Sequence, residues 1–268
     1  MKSDLQINTL SIIGAGAVST CLAPWLQKSG YDILAVHSRS IHSAEALAER
    51  LGCAAIGSIE NLPDADAFLI CISDDSLPQV APSLRKSHPD SLLVHTSGGM
   101  GIDVFGADRS HCAVMYPLQS FTRGVDLDVP EIPFFIEASD AAAMDGVEKL
   151  ASSLSSKVLQ LDGAGRARLH LAAVFASNFS NHCCALAADL MERYGLDWQL
   201  LLPLIDETAH KLHRLAPHQA QTGPAARGDR EVVQTELELL HSDARLPKIY
   251  SDIYNIMSRS IMDGRTNG

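Results

Sequence analysis

The sequence is poor in aromatic side chains, which make up 5% of its 268 residues, and no apolar run approaches the roughly 20 residues that span a bilayer. No membrane partner is therefore expected. Basic residues are in deficit: 21 Lys and Arg face 32 Asp and Glu, a formal charge of −11 with a pI near 5.4. A nucleic-acid surface needs a clustered cationic excess, so that partner is excluded as well. The six cysteines form no C-x-x-C pair and sit at no metal-ligand spacing, which leaves reduced thiols and no metal. His210, His213 and His218 have no carboxylate in a zinc pattern and are assigned to surface or packing. The first sixteen residues lack the apolar run and small-residue cleavage site of a secretory signal, so the cytoplasm is the expected location.

What is present is ordinary globular composition, 46% apolar and 20% charged, over a length that suits two unequal domains. Thr9 to Ile13 is a short β-branched run that stops at Gly14-Ala15-Gly16, and a helical pattern follows to Gly30. Ile33 to Val36 repeats the strand, and Ser43 to Leu51 repeats the helix, closed by Gly52. Ala67 to Ile72 and Leu92 to Val94 are further apolar runs, ending in Ser73-Asp74-Asp75 and His95-Thr96-Ser97-Gly98. Fully apolar strands joined by helices predict an α/β, Rossmann-type, doubly wound and mostly parallel sheet. Cys112 to Met115 and Pro133 to Ile136 extend it, Ala141 to Leu154 covers it, and the domain is expected to close near Leu161. Residues 162–268 then form an all-helical C-terminal domain.

Gly14 and Gly16 fit G-x-G-x-x-S between the first strand and the first helix. The first glycine lets the chain turn, and the second lets it approach a diphosphate resting on the helix that opens at Ala17 and Val18. A turn serving chain reversal alone is the alternative. Strand ends in such sheets line one cleft, which adds Ser73 and Asp74 to the cofactor candidates. Where an NAD site places an acid after the second strand, this sequence has Ser38-Arg39-Ser40, a guanidinium between hydroxyls that suits a 2′-phosphate. NADP is thus favoured over NAD; the competing reading makes Arg39 a solvated cation and Ser40 a helix cap.

From Arg166 to Tyr194 the pattern is one helix, in which His170, Ser177 and Asn181 fall at intervals of seven and eleven residues on one face, flanked by Asn178. Such a stripe either faces a cleft or forms an internal network. A further helix is expected from Trp198 to Leu215. Asp229 is expected to cap a helix from Arg230 to Leu240, and Pro247 to open the last one.

These pieces together, with Pro117-Leu118-Gln119-Ser120-Phe121 and Thr222 through Asp229, span nearly the whole chain. It resembles bacterial NADP oxidoreductases in which a Rossmann-like domain precedes a helical domain of unknown function, number 2520. That group looks like a relative of pyrroline-5-carboxylate reductase and of 3-hydroxyisobutyrate and 6-phosphogluconate dehydrogenases. The resemblance implies the fold, the cofactor, and a helical domain that closes the cleft and makes a homodimer, but no substrate. One departure stands out: the family His before Pro-Leu-Gln is Tyr116 here.

The expected activity is hydride transfer between NADP(H) and a small polar carbonyl, imine or alcohol bound between the domains. His170 is the first choice for acid/base work and His95 the second. Ser97, Ser177 and Asn178 would hold the substrate's oxygen or nitrogen, and Arg227 would pair with a carboxylate if the substrate carries one. A non-catalytic NADP-binding sensor that works through dimerisation is the alternative, and a deazaflavin:NADP oxidoreductase a third.

Overall fold

Ile12, Ile13, Val36, Leu69, Ile70, Leu93 and Val94 are almost wholly removed from solvent, as the absence of polar alternation in their strands requires. In the computed structural model, which describes residues 5–107 and 109–264, they belong to an eight-stranded sheet. The strands are β1 (Thr9–Ile13), β2 (Asp32–His37), β3 (Ala54–Ile56), β4 (Ala67–Ile70), β5 (Leu92–His95), β6 (Cys112–Pro117), β7 (Phe134–Ala138) and β8 (Val158–Gln160). Their order is β3-β2-β1-β4-β5-β6-β7-β8, parallel throughout except for the antiparallel β6–β7 pair. The short strands β3 and β8 have too few residues to announce themselves by pattern.

The sheet is covered by α1 (Ala17–Lys28), α2 (Ile41–Leu51), α3 (Leu77–Ser87) and α4 (Ala141–Leu154). One apolar layer joins Leu22, Leu26, Leu47, Val147 and Leu150 to one face of the sheet, and a second joins Leu77, Leu84 and Phe105 to the other. Each fully buried Leu or Ile contributes roughly 1.5–3 kcal/mol. The chain reverses direction across the sheet between β1 and β4, and that is where a doubly wound sheet opens a crevice beyond its strand ends.

The remaining helices are α5 (Gly163–Ala173), α6 (Ser180–Arg193), α7 (Leu202–Lys211), α8 (Pro217–Ala220), α9 (Pro224–Arg227), α10 (Arg230–Ser242) and α11 (Ile249–Gly264). The chain divides into two compact units, Met1–Asn178 and Phe179–Gly268. The first therefore runs past the boundary expected near Leu161, which marks only the end of the sheet. Helix α5 stays with the sheet because the buried Arg166 guanidinium donates to the Glu137 carboxylate on β7 and to the Met100 carbonyl.

Three local expectations are corrected. The single helix from Arg166 to Tyr194 is interrupted by a π-helical stretch, Val174–Phe179, whose wider turn shifts the phase of everything after it. The Asp229 side chain does not cap α10, since its carboxylate accepts from Arg227 Nε at 2.8 Å instead. Pro247 precedes α11 rather than sitting in it, its carbonyl accepting from Tyr250 N. Among the described residues, no helix is long and apolar enough to cross a membrane, and no group of three or more His, Cys, Asp or Glu is placed to hold a metal ion.

Candidate functional site

The turn after β1 is fixed by two backbone bonds at 2.7 Å, Gly14 N to the His37 carbonyl and Cys71 N to the Ile13 carbonyl. Gly14 has φ +99°, and a Cβ there would stand 2.2 Å from the Cys71 carbonyl oxygen, so no other residue fits. Gly16 is different, because a Cβ on it would meet nothing of this chain closer than 4.0 Å. The turn is therefore open on the side of Gly16. Ser19, standing where a third glycine is usual, is buried against the sheet and donates to the Gly16 carbonyl at 3.1 Å.

Beside the turn lies a hollow of about 220 Å³ lined by Gly14, Gly16, Ser38, Arg39, Ser73 and Arg123, among others. No carboxylate lines it. Arg39 is exposed there and makes no hydrogen bond or ion pair among the described residues. Ser40 does not line the hollow: its Oγ accepts from Ser43 N at 3.3 Å and caps α2, the structural role weighed for it from sequence. Ser73 shares a 2.8 Å bond with Ser76 across the entry to α3.

A larger cavity of about 680 Å³ begins at Gly16, Ala17 and Val18, where α1 presents its first turn, and passes Asp74 at the end of β4. It is built entirely from the first unit. Its far wall brings together Ser97, Tyr116, His170, Ser177 and Asn178. The Tyr116 hydroxyl lies 3.1 Å from His170 Nδ1, with the two rings edge to face at 5.9 Å. Burial raises the Tyr116 pKa, so this hydroxyl holds its proton throughout the neutral range. Gly98 is the floor of the pair, since a Cβ there would fall 2.8 Å from His170 Nδ1 and from two Tyr116 ring carbons. Ser97 Oγ accepts from Gly99 N and Met100 N, which holds the loop after β5 and leaves the hydroxyl proton to donate.

The π-helical stretch explains which part of the polar stripe reaches this wall. His170, Ala173, Ala176, Ser177 and Asn178 line the cavity, and Asn181, which uniform α-periodicity puts in register with His170, does not. Most of this helix is not buried in the chain. Arg166 is the only buried residue of α5, and α6 has none.

His95 is corrected as an acid/base candidate. It points away from the cavity into the layer under the sheet, wholly buried beside Phe105, and its Nδ1 accepts from Ser97 N at 3.2 Å. Burial, then the neighbouring Arg166 charge, pushes its pKa down to about 4, so it is neutral at pH 7. Arg227 belongs to the second unit, where it is exposed and paired with Asp229. Two residues were given no part by sequence reasoning. Tyr116 stands out in the sequence only as a departure from the family, although the strand-end rule points at it; Arg123, in the loop after β6, carries no signal because no regular element places it.

Residues 9–99 match the family model described as NADP oxidoreductase coenzyme F420-dependent, and residues 132–261 match Domain of unknown function (DUF2520). A crystal structure of a "putative NADP oxidoreductase" from Bacteroides fragilis is 37% identical, covers 97% of this chain and 99% of its own, and superposes with a TM-score of 0.89. An imine reductase from Myxococcus stipitatus in complex with NADP+ shares the fold at 18% identity, TM-score 0.66, over 96% of this chain and 94% of its own. A glutamyl-tRNA reductase of Shewanella loihica is 26% identical over 85% of the chain, which spans 55% of that curated relative. Near-complete coverage of the Bacteroides protein, together with both family matches, makes this chain a member of the NADP oxidoreductases that join a Rossmann domain to domain of unknown function 2520.

Proposed function

We propose that this chain transfers a hydride between NADP(H) and a small polar carbonyl, imine or alcohol held in the 680 Å³ cavity. The reading is carried by one observation: a single cavity runs from the glycine turn and the start of α1 to the Tyr116–His170 pair. A nicotinamide supplies or accepts the hydride when bound, and the chain must then orient the substrate and handle one proton.

Tyr116 and His170 are the proton-handling pair. The hydroxyl gives or takes the substrate proton, and His170 Nδ1, within hydrogen-bond reach, exchanges with it. The Ser97 hydroxyl, Ser177 and Asn178 line the same wall and would orient the substrate's oxygen or nitrogen. The choice of NADP rests on Arg39 and on the absence of any carboxylate from the hollow beside it. An imine reductase that shares the fold was crystallised with NADP+, in line with an imine or carbonyl substrate.

We further propose that the second unit pairs with another copy of itself. Helices α6 and α7 bury none of their residues, and Leu196, Leu200, Leu204, Leu212 and Leu215 stand exposed, an apolar surface of the kind that marks an interface. Analytical ultracentrifugation is expected to show a dimer, and a monomer at high concentration would reject it.

The activity is tested by following nicotinamide absorbance of NADPH mixed with protein and a panel of imines, aldehydes and keto acids. Turnover by the parent and its loss in His170→Ala, with dinucleotide binding kept, is the expected result. Tight NADPH binding with silence across the panel would replace catalysis by the sensor role. Titration with NADP+ and NAD+ tests the cofactor choice, and equal affinity would contradict the part given to Arg39.

A further inference from the structure

Arg123 links two hollows that the glycine turn separates. It lines the 220 Å³ hollow with Arg39, and it also lines a second one of about 250 Å³ between α1 and α2, with Thr20, His42, Ser43 and Arg50. One amino group of its guanidinium donates to the Ala15 carbonyl at 2.6 Å, inside the glycine turn itself. Its remaining donors have no partner among the described residues.

The charge distribution is the second observation. The chain carries a net −11, yet no carboxylate lines either hollow, while Arg39, Arg50 and Arg123 all do. His42 is already engaged with Glu45 at 3.3 Å. Guanidinium groups without a hydrogen-bonded acid, lining two hollows from which carboxylates are absent, are arranged for an anion, although Asp126 lines the neighbouring hollow that Arg50 also reaches. Arg presents a fork of donors, so Arg123 can hold the Ala15 carbonyl with one N–H and an oxyanion with others.

We propose that Arg123, which shares one hollow with Arg39 and the next with Arg50, forms a phosphoryl-binding site that grips a phosphate of the bound dinucleotide. This rests on the dinucleotide reading above. The phosphate is either the 2′-phosphate or the diphosphate, both dianionic or nearly so, and the loop after β6 would thereby be fastened over the coenzyme as well as over the turn.

The test is calorimetric titration of the full chain and its Arg123→Gln variant with NADP+, NAD+ and adenosine 2′,5′-bisphosphate at low and high salt, each variant first shown to melt like the parent. A lost charge-assisted contact is expected to weaken NADP+ binding about tenfold or more, and the gap should narrow as salt rises. Loss confined to NADP+ and the bisphosphate assigns the 2′-phosphate; equal loss for NADP+ and NAD+ assigns the diphosphate. Arg123→Lys is expected to recover part of the affinity, and Arg50→Gln to show a smaller loss of the same kind.

Affinities within twofold of the parent for all three ligands overturn the proposal. So does a loss that salt leaves unchanged, because it would trace to a disturbed turn and not to a charge. If the parent itself binds neither dinucleotide, it is the functional reading that fails.

Discussion

The Tyr116 hydroxyl lies 3.1 Å from Nδ1 of His170, a contact across 54 residues of sequence that joins the end of β6 to α5. Neither side chain is placed by the other's element alone. β6 delivers the phenol and α5 delivers the imidazole, and the cavity wall exists where they meet.

The first prediction concerns that pair. Tyr116→Phe is expected to lower turnover by about 100-fold or more while dinucleotide affinity stays within twofold. The double variant with His170→Ala should lose little beyond the worse single change, because groups that act as one unit are not additive. Steady-state rates with direct binding titrations check this; additive losses would show that the two act separately.

Gly98→Ala tests the floor of the site. The added methyl would stand 2.8 Å from both partners, so the pair must separate or the loop after β5 must move. A destabilisation of about 1–3 kcal/mol and loss of turnover are expected, with dinucleotide binding retained. Thermal melts alongside titrations read the two effects, and an active variant would show that the contact is dispensable.

Glu137→Gln addresses the anchor of α5. Arg166 is wholly buried, and its guanidinium relies on that carboxylate. Removing the charge is expected to cost about 3 kcal/mol in urea unfolding, since breaking a buried pair strands its partner. The double change Glu137→Gln with Arg166→Met should recover part of the loss. No change in the unfolding midpoint for the single variant would mean the pair does not hold the helix.

His95 should make stability depend on acid. Its native pKa is lowered to about 4, below the roughly 6.5 of an unfolded chain, so the unfolded state takes up a proton first as pH falls. The stabilisation is complete above about pH 6.5 and is lost progressively toward pH 4, amounting to about 3 kcal/mol. His95→Gln should flatten this part of the pH–stability curve. An unaltered slope would assign it to other groups.

The strands β1, β2, β4 and β5, their glycine turn and the helices that follow could be read directly, because each repeats a strong local pattern with a chemical stop. Gly14 could be assigned for the same reason: only one residue tolerates its backbone. Ser40 is legible as a cap or as a phosphate ligand, and the Ser43 bond shows it in the first of these roles.

Other features needed three dimensions. The π-helical stretch at Val174–Phe179 has no strict sequence signature, so a uniform helix puts Asn181 on the same face as His170, three turns on, and the added width of the turn takes it off that face. His95 and Thr96 are adjacent in sequence yet face opposite sides of the sheet, and that alternation sent the histidine into the core and left Thr96 and Ser97 on the cavity. The sequence by itself determined the doubly wound sheet, the glycine turn and the absence of an acid after β2, because these depend on neighbours in the chain. The tertiary structure decided that Tyr116 meets His170 over Gly98 and that Arg123 reaches Ala15, because both depend on strand order and loop path, which no local pattern encodes.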